Sequence, residues 1–199
     1  MGKKILVLGT GAQGSTVAQR MDEEPNVDEI ICADADHKAV DELVKILKKA
    51  KGTYVDADDV DSIIKAAEGV DLIVNALPIR FAPKVLDAAL AVKANYQDFA
   101  ATDVLDPWWP KCVEIMYNDY GKKFAEIGKL AIIGTGSAPG NDVRGNKEQH
   151  EISRYVRRYT DDGIRGSGGQ EVPAVLVVAV HGPFRHDGPD LRVEGRSAC

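Results

Sequence analysis

The 199-residue sequence has few cysteines, no excess of positive charge and no long hydrophobic run. Its three cysteines, Cys32, Cys112 and Cys199, are far apart and odd in number, which predicts a reducing cytoplasmic setting without a disulfide framework. The net charge of −6 argues against binding to nucleic acids or membrane surfaces, since both require a basic face. No apolar run approaches the roughly 20 residues of a transmembrane helix, and no signal-peptide core is expected at the start.

Motifs for several other kinds of site are also missing. The four histidines are His37, His150, His181 and His186. They lack the spacing of metal ligands, so no metal site is expected. Neither Gly14 nor Gly140 is followed by Lys-Ser or Lys-Thr, which argues against a P-loop, and residues 134–140 contain no Gly-x-Ser-x-Gly.

The first clear motif lies at the start of the chain. Four aliphatic residues at 5–8 predict a buried strand, which runs into Gly-x-Gly-x-x-Gly at 9–14 and then a helix at 15–21. This strand, loop and helix form the context that a dinucleotide-binding loop requires. The sequence therefore predicts a nucleotide site here.

Each part of this loop has an expected task. Gly9 permits the tight turn, Gly11 lets a pyrophosphate approach the backbone, and Gly14 lets helix and strand pack closely. The free N–H groups at the helix start then face the phosphates. Ala12 and Gln13, between the second and third glycines, are also expected to contact the cofactor.

An acidic residue follows at the distance expected for a ribose ligand. Asp34 ends a predicted strand at 28–34 and lies 20 residues after Gly14, where a carboxylate hydrogen-bonds the adenosine ribose 2′-hydroxyl. Such a carboxylate repels a 2′-phosphate, so NAD is favoured over NADP as the cofactor. The alternative is that Asp34 or Asp36 only caps the next helix, for which Asp36 is well placed.

Two further loops follow predicted strands. A third strand at 53–57 ends in Asp56 and Ala57, at the edge where open α/β sheets bind ligands. Two interpretations of Asp56 and Ala57 stay open: they contact the adenine, or they form a solvated acidic turn. The fourth strand exits through a loop that is expected to pass the pyrophosphate and the nicotinamide ribose. This loop consists of Asn75, Ala76, Leu77 and Pro78.

Strand and helix alternate six times, which predicts an α/β fold with a doubly wound parallel sheet. Helices are expected at 38–51 and 111–127. The fifth and sixth strands are expected at 96–100 and 130–133, and the sixth leads into a glycine-rich loop at 134–140.

Four segments in one order resemble a known family. They are the fingerprint at 9–14, Asn-Ala-Leu-Pro at 75–78, Tyr-Gln-Asp-Phe-Ala-Ala-Thr-Asp at 96–103 and Gly-Thr-Gly-Ser-Ala-Pro-Gly at 134–140. Over residues 3–140 the chain resembles the saccharopine dehydrogenase-like family, which includes saccharopine reductase, carboxynorspermidine dehydrogenase and lysine 6-dehydrogenase.

The resemblance implies a Rossmann domain followed by a substrate and dimerisation domain, and therefore a homodimer. It implies reversible NAD(P)-dependent oxidation of an amino group or secondary amine on an amino acid such as lysine, saccharopine or a carboxypolyamine. It also implies that the fingerprint glycines contact the pyrophosphate and Asp34 the ribose. The loops at 75–78 and 134–140, the latter including Gly136, would line the nicotinamide.

Hydride transfer needs no protein nucleophile, because the cofactor carries the electrons while the protein supplies orientation and a proton acceptor for the amine. Asp98 and Asp103 flank residues 99–102 at the exit of the fifth strand and are the candidate catalytic acid–base residues. Asp98 could instead cap a turn, and Asp103 could start the next helix.

The composition changes near residue 140. Of the 15 lysines, 14 precede residue 130, whereas 8 of the 10 arginines follow it. We therefore assign residues 1–140 to the dinucleotide-binding domain and leave 141–199 as an unassigned tail. Either a shift of the reading frame or a divergent, partly disordered segment explains such a tail. The same ambiguity leaves two functions open: an amino-acid dehydrogenase, or a non-catalytic module that binds or senses NAD.

Overall fold

The computed structural model describes residues 2–99, 105–106, 108–135 and 175–177. The strands of this part are β1 (Lys3–Leu8), β2 (Val27–Asp34), β3 (Ala50–Tyr54), β4 (Leu72–Asn75), β5 (Asn95–Asp98), β6 (Ala131–Ile133) and β7 (Val175–Val177). They form one sheet in the order β3-β2-β1-β4-β5-β6-β7, and every pairing is parallel. The predicted doubly wound parallel sheet is thereby confirmed.

Helices connect the strands. They are α1 (Ala12–Glu23), α2 (His37–Ile46), α3 (Val60–Ala66), α4 (Ala82–Val92), α5 (Trp109–Ile115) and α6 (Gly121–Glu126). A 3₁₀ turn at Ile79–Phe81 precedes α4, and a π-helical segment at Met116–Tyr120 joins α5 to α6. None of the helices in the described part of the chain combines the length and apolar character needed to cross a membrane.

The core forms on both faces of the sheet, and β1 contributes to both. Leu6 and Leu8 belong to one buried cluster, whereas Ile5 and Val7 belong to another. Successive side chains of a strand point to opposite faces, so an unbroken aliphatic run is what a strand covered on both sides requires.

The strand order places a crevice beside the end of β1. Leu8 pairs with Ala33 of β2 on one side and with Asn75 of β4 on the other. The chain winds outward in opposite directions from β1 and β4, and ligands of open α/β sheets bind at such a switch point, outside the carboxyl ends of the strands.

The boundaries of α2 and β3 correct the sequence prediction. The helix predicted to continue through residue 51 ends at Ile46, and β3 begins at Ala50. The Asp22 carboxylate accepts the backbone N–H groups of Lys48 and Lys49, at 3.0 and 2.8 Å, so neither group donates within a helix. This contact comes from more than 20 residues away, and the local lysine-rich pattern does not reveal it.

Candidate dinucleotide site

The turn after β1 requires glycine at position 9. Gly9 has a φ of 93°, a conformation that side chains rarely adopt. A Cβ atom there would lie 2.9 Å from the carbonyl carbon and oxygen of Ala76. The turn therefore passes directly against the loop that follows β4.

The other two fingerprint glycines have different surroundings. A Cβ atom on Gly14 would overlap the carbonyl oxygen of Gly9, whereas one on Gly11 would meet no atom within 4 Å. Gly14 is thus required for packing. Gly11 borders open space, which leaves room for a ligand to approach the backbone.

Helix α1 begins at Ala12, three residues before the predicted start. Its N-cap is Gly11, which makes no side-chain hydrogen bond to the first turn. The N–H groups at the start of a helix have no intrahelical partner. Ala12 and Gln13 are exposed beside the open backbone of Gly11. These groups fit a pyrophosphate, which needs N–H donors and the positive end of a helix dipole.

Asp34 lies at the carboxyl end of β2 and is linked to the glycine turn. Its Oδ2 accepts hydrogen bonds from the backbone N–H of Thr10 (2.7 Å) and the Thr10 hydroxyl (3.1 Å), and its Oδ1 accepts one from the Asp36 N–H (3.1 Å). Partial burial acts to raise the pKa of Asp34, but these donors outweigh it and lower the pKa below its ordinary value. Asp34 is therefore an anion at neutral pH.

Asp36 caps helix α2, as expected for this residue from the sequence. Its Oδ1 accepts the backbone N–H groups of Lys38 (3.0 Å) and Ala39 (3.2 Å) at the start of α2. Because Asp36 performs this task, the Asp34 carboxylate is not the cap. Contact between Asp34 and a ribose stays a prediction.

An aromatic stack lies beside Asp34, and sequence reasoning did not find it. Tyr54 pairs in register with Asp34, and its ring stacks on His37 with centroids 3.6 Å apart. The Tyr54 hydroxyl also donates to Asp41 of α2. In the next loop, Asp56 is exposed and accepts the Asp58 N–H at 2.9 Å, which is the geometry of an acidic turn.

A cleft of about 70 Å³ lies on the other side of β1, at the carboxyl ends of β4 and β5. Residues from α1, from the loop after β4 and from the end of β5 line it. They are Gln13, Asn75, Ala76, Leu77, Ile79, Ala82, Asp98 and Phe99. The cleft therefore brings together three of the four residues of the loop at 75–78, predicted for the nicotinamide side, with one of the two predicted catalytic aspartates.

Asp98 is buried, with 2 % of its surface exposed, and both of its carboxylate oxygens accept hydrogen bonds. Oδ2 accepts the Tyr96 hydroxyl at 2.8 Å and Oδ1 accepts the Gly134 N–H at 2.6 Å. Burial raises the pKa of Asp98 to about 6, although both donors act to lower it. The group can therefore change protonation state close to neutral pH.

The predicted site residues thus fall into two groups. Gln13, Asn75 and Asp98 meet at the cleft, whereas Asp34 and Asp56 lie across β1, on the side of β2 and β3. Asp103 and Gly136 lie outside the described residues. Sequence reasoning missed Tyr96, although its position two residues before Asp98 on one strand indicates that both side chains share a face.

The sequence matches a known protein family. The family described as "Saccharopine dehydrogenase NADP binding domain" matches residues 5–138. The chain belongs to this family. The predicted resemblance is thereby confirmed, and membership supports a nicotinamide dinucleotide as the cofactor.

Solved structures agree on the fold. Apo saccharopine dehydrogenase (L-Glu forming) from Saccharomyces cerevisiae has a TM-score of 0.60 and 20% identity, covering 77% of this chain and 32% of that one. Pen from Bacillus thuringiensis has a TM-score of 0.54 and 12% identity, covering 81% and 56%. PbgP3 from Burkholderia pseudomallei has a TM-score of 0.51 and 13% identity, covering 67% and 52%. The chain thus spans about a third of the yeast enzyme.

Proposed function

We propose that this chain is the dinucleotide-binding part of a saccharopine dehydrogenase-like oxidoreductase. The proposed reaction is NAD-dependent oxidation, or the reverse reduction, at a C–N bond of an amino acid of the lysine, saccharopine or carboxypolyamine type. One observation carries the proposal: the start of α1, at Gln13, and the buried Asp98 carboxylate line the same cleft. A phosphate-binding loop and a proton-exchanging group beside one another are what a dehydrogenase needs.

The residues present fit a dinucleotide. The backbone of Gly9, Gly11 and Gly14 and the first N–H groups of α1 would hold the pyrophosphate. Asp34 would accept the adenosine ribose hydroxyls, and the loop after β3, at Asp56 and Ala57, would approach the adenine. The nicotinamide end would lie along the loop at 75–78, facing the cleft. When bound, the cofactor supplies hydride acceptance and donation.

We propose NAD rather than NADP, although the description of the matched family carries NADP. The Asp34 carboxylate has a lowered pKa and therefore stays negative across the neutral range. A 2′-phosphate placed against it would meet a like charge in a half-buried position, where repulsion is poorly screened.

Asp98 is the proposed catalytic acid–base. With a pKa of about 6 it is largely ionised at neutral pH. It can therefore take the proton that the nitrogen of a substrate amine loses during oxidation. Its burial keeps bulk water from competing for that proton. Asp103 remains a second candidate from the sequence. A homodimer, implied by the family resemblance, and a cytoplasmic location, expected from the cysteine content, are part of the same proposal.

Calorimetric titration of the 199-residue chain with NAD and with NADP tests the cofactor half. We expect NAD to bind at least tenfold more tightly than NADP. Gly11→Ala is the matched control, because its Cβ meets no protein atom but occupies the space the pyrophosphate needs. It should fold normally and lose at least tenfold in affinity. Failure of both dinucleotides to bind the native chain would contradict the proposal.

The catalytic half needs a separate assay. Reduction of NAD should be followed by the absorbance of NADH, with lysine, saccharopine and carboxypolyamines as substrates in turn. Turnover of one of them that disappears in Asp98→Asn supports the enzyme. Turnover that survives this substitution contradicts the role of Asp98.

One observation favours the alternative, a module that binds NAD without catalysis. The cleft of about 70 Å³ is small beside ordinary ligand pockets of roughly 300–1,000 Å³. The described residues alone therefore do not enclose an amino acid beside a nicotinamide. Tight NAD binding without turnover of any of the three substrate types would favour this alternative.

A further inference from the structure

A buried chain of hydrogen bonds crosses the sheet beneath the cleft. Tyr96 is the second residue of β5 and is 1 % exposed. Its hydroxyl accepts a hydrogen bond from Asn75 Nδ2 at 3.0 Å and donates one to Asp98 Oδ2 at 2.8 Å. One hydroxyl therefore joins a residue of the cofactor-facing loop to the buried carboxylate.

The Tyr96 hydroxyl decides which way the Asn75 amide faces. Because Nδ2 donates to Tyr96, Oδ1 is turned towards the loop and accepts the Leu77 N–H at 3.1 Å. If the amide were reversed, its oxygen would face a hydroxyl whose only hydrogen is already given to Asp98. Its NH₂ group would then face the Leu77 N–H. Both arrangements lose a hydrogen bond in a buried place, which is costly.

The same hydroxyl acts on Asp98. Among the described residues, the groups that donate to this carboxylate are the Tyr96 hydroxyl on β5 and the Gly134 N–H after β6. Both are donors, so both favour the ionised form. Removing one would leave an oxygen of a buried carboxylate without a partner.

We propose that Tyr96 is a positioning residue, whose hydroxyl orients the Asn75 amide and holds the Asp98 carboxylate by a hydrogen bond, and so shapes both walls of the cleft. The use of that shape for the nicotinamide end rests on the proposed function, whereas the hydrogen-bond chain does not. Tyr96 itself touches neither cofactor nor substrate in this scheme.

Tyr96→Phe in the full chain removes the hydroxyl and keeps the ring. Tyr120→Phe is the matched control, since Tyr120 is also buried and also donates to an aspartate, Asp87, on α4 outside the cleft. Amide exchange by NMR should show Leu77 exchanging roughly three to ten times faster in Tyr96→Phe, as expected for one lost hydrogen bond. Carboxyl ¹³C titration should show the pKa of Asp98 raised. Tyr120→Phe should change neither.

Replacing Tyr96 by 3-fluorotyrosine tests the same link without loss of an atom, should the phenylalanine variant not fold. The more acidic hydroxyl donates more strongly and accepts less well. We therefore expect a lowered pKa at Asp98 together with faster exchange at Leu77. Unchanged exchange and unchanged titration in the folded variants would overturn the inference.

NAD binding separates this inference from the proposed function. In the native background, Tyr96→Phe should lower the affinity for NAD. In an Asn75→Ala background the same substitution should change this affinity less than about twofold, because its effect on the loop passes through Asn75. Equal losses in both backgrounds would overturn the link through Asn75. If the native chain binds no dinucleotide, the proposed function fails, and the exchange and titration results still decide the role of Tyr96.

Discussion

Asp34 and Asp98 occupy equivalent places in the two halves of the sheet, at the carboxyl ends of β2 and β5, yet their acidities move in opposite directions. Asp34 is half-buried and receives several donors from the glycine turn and the start of α2, so its pKa is lowered. Asp98 is buried and receives two donors, and burial raises its pKa to about 6.

The surroundings of a strand end, and not the residue type, therefore determine the acidity of an aspartate there. A carboxylate that stays ionised is suited to recognising ribose hydroxyls and rejecting a phosphate. One that titrates near neutrality is suited to moving protons. The two aspartates thus differ in acidity because hydrogen bonds outweigh burial at Asp34, whereas burial outweighs hydrogen bonds at Asp98.

The largest expected effect concerns the cost of burying Asp98. The ordinary aspartate pKa is 3.8 and that of folded Asp98 is about 6, so the folded chain binds this proton more tightly than the unfolded chain. The stability it contributes is present below the unfolded value and is lost as the pH rises through about 6. As the pH rises from about 4 to about 7, the free energy of unfolding of Asp98→Asn should therefore increase by up to about 3 kcal/mol relative to that of the native chain.

Urea unfolding of both proteins across this range measures the difference. A constant offset from the altered hydrogen bonds does not affect the pH dependence. Parallel stability curves would show that Asp98 has an ordinary acidity and would remove the contrast with Asp34.

A second prediction concerns the turn that separates the two halves. Gly14→Ala places a Cβ against the Gly9 carbonyl and should cost about 1–3 kcal/mol of stability. Gly11→Ala should cost less than about 0.5 kcal/mol, because its Cβ meets open space. Thermal or urea unfolding compares them. Equal losses would show that the space beside Gly11 is not open in solution.

A third prediction sharpens the role of Asp34. Asp34→Asn removes the charge but keeps an acceptor for the Thr10 donors. The preference for NAD over NADP should fall about tenfold, which corresponds to about 1.4 kcal/mol. Calorimetry with both dinucleotides measures it. Asp36→Asn is the control, because it removes a neighbouring charge and should leave the preference unchanged.

The smallest expected effect is the loss of stability when the helix cap at Asp36 is removed. Asp36→Ala removes the acceptor of the Lys38 and Ala39 N–H groups and should lower stability by about 1 kcal/mol, whereas Asp36→Asn should keep most of it. Urea unfolding of the two variants provides the measurement. An Asp36→Ala variant as stable as the native chain would show that the cap contributes nothing.

Much of the fold and part of the site follow from local patterns in the chain. The aliphatic run before Gly9 and the spacing of the three fingerprint glycines predict a buried strand, a turn and a helix start. Backbone conformation restricts position 9 to glycine, and close packing restricts position 14. The spacing also places Asp34 at the end of β2. These features depend on short-range sterics, which one stretch of sequence carries by itself.

The remaining features depend on contacts between distant parts of the chain. The end of α2 depends on Asp22, which binds the Lys48 and Lys49 N–H groups from another element. The acidity of Asp98 depends on burial and on a donor at Gly134, 36 residues further along the chain. The opposite acidities of Asp34 and Asp98 could not be read from the sequence, because desolvation and hydrogen bonding are set by neighbours that folding brings together.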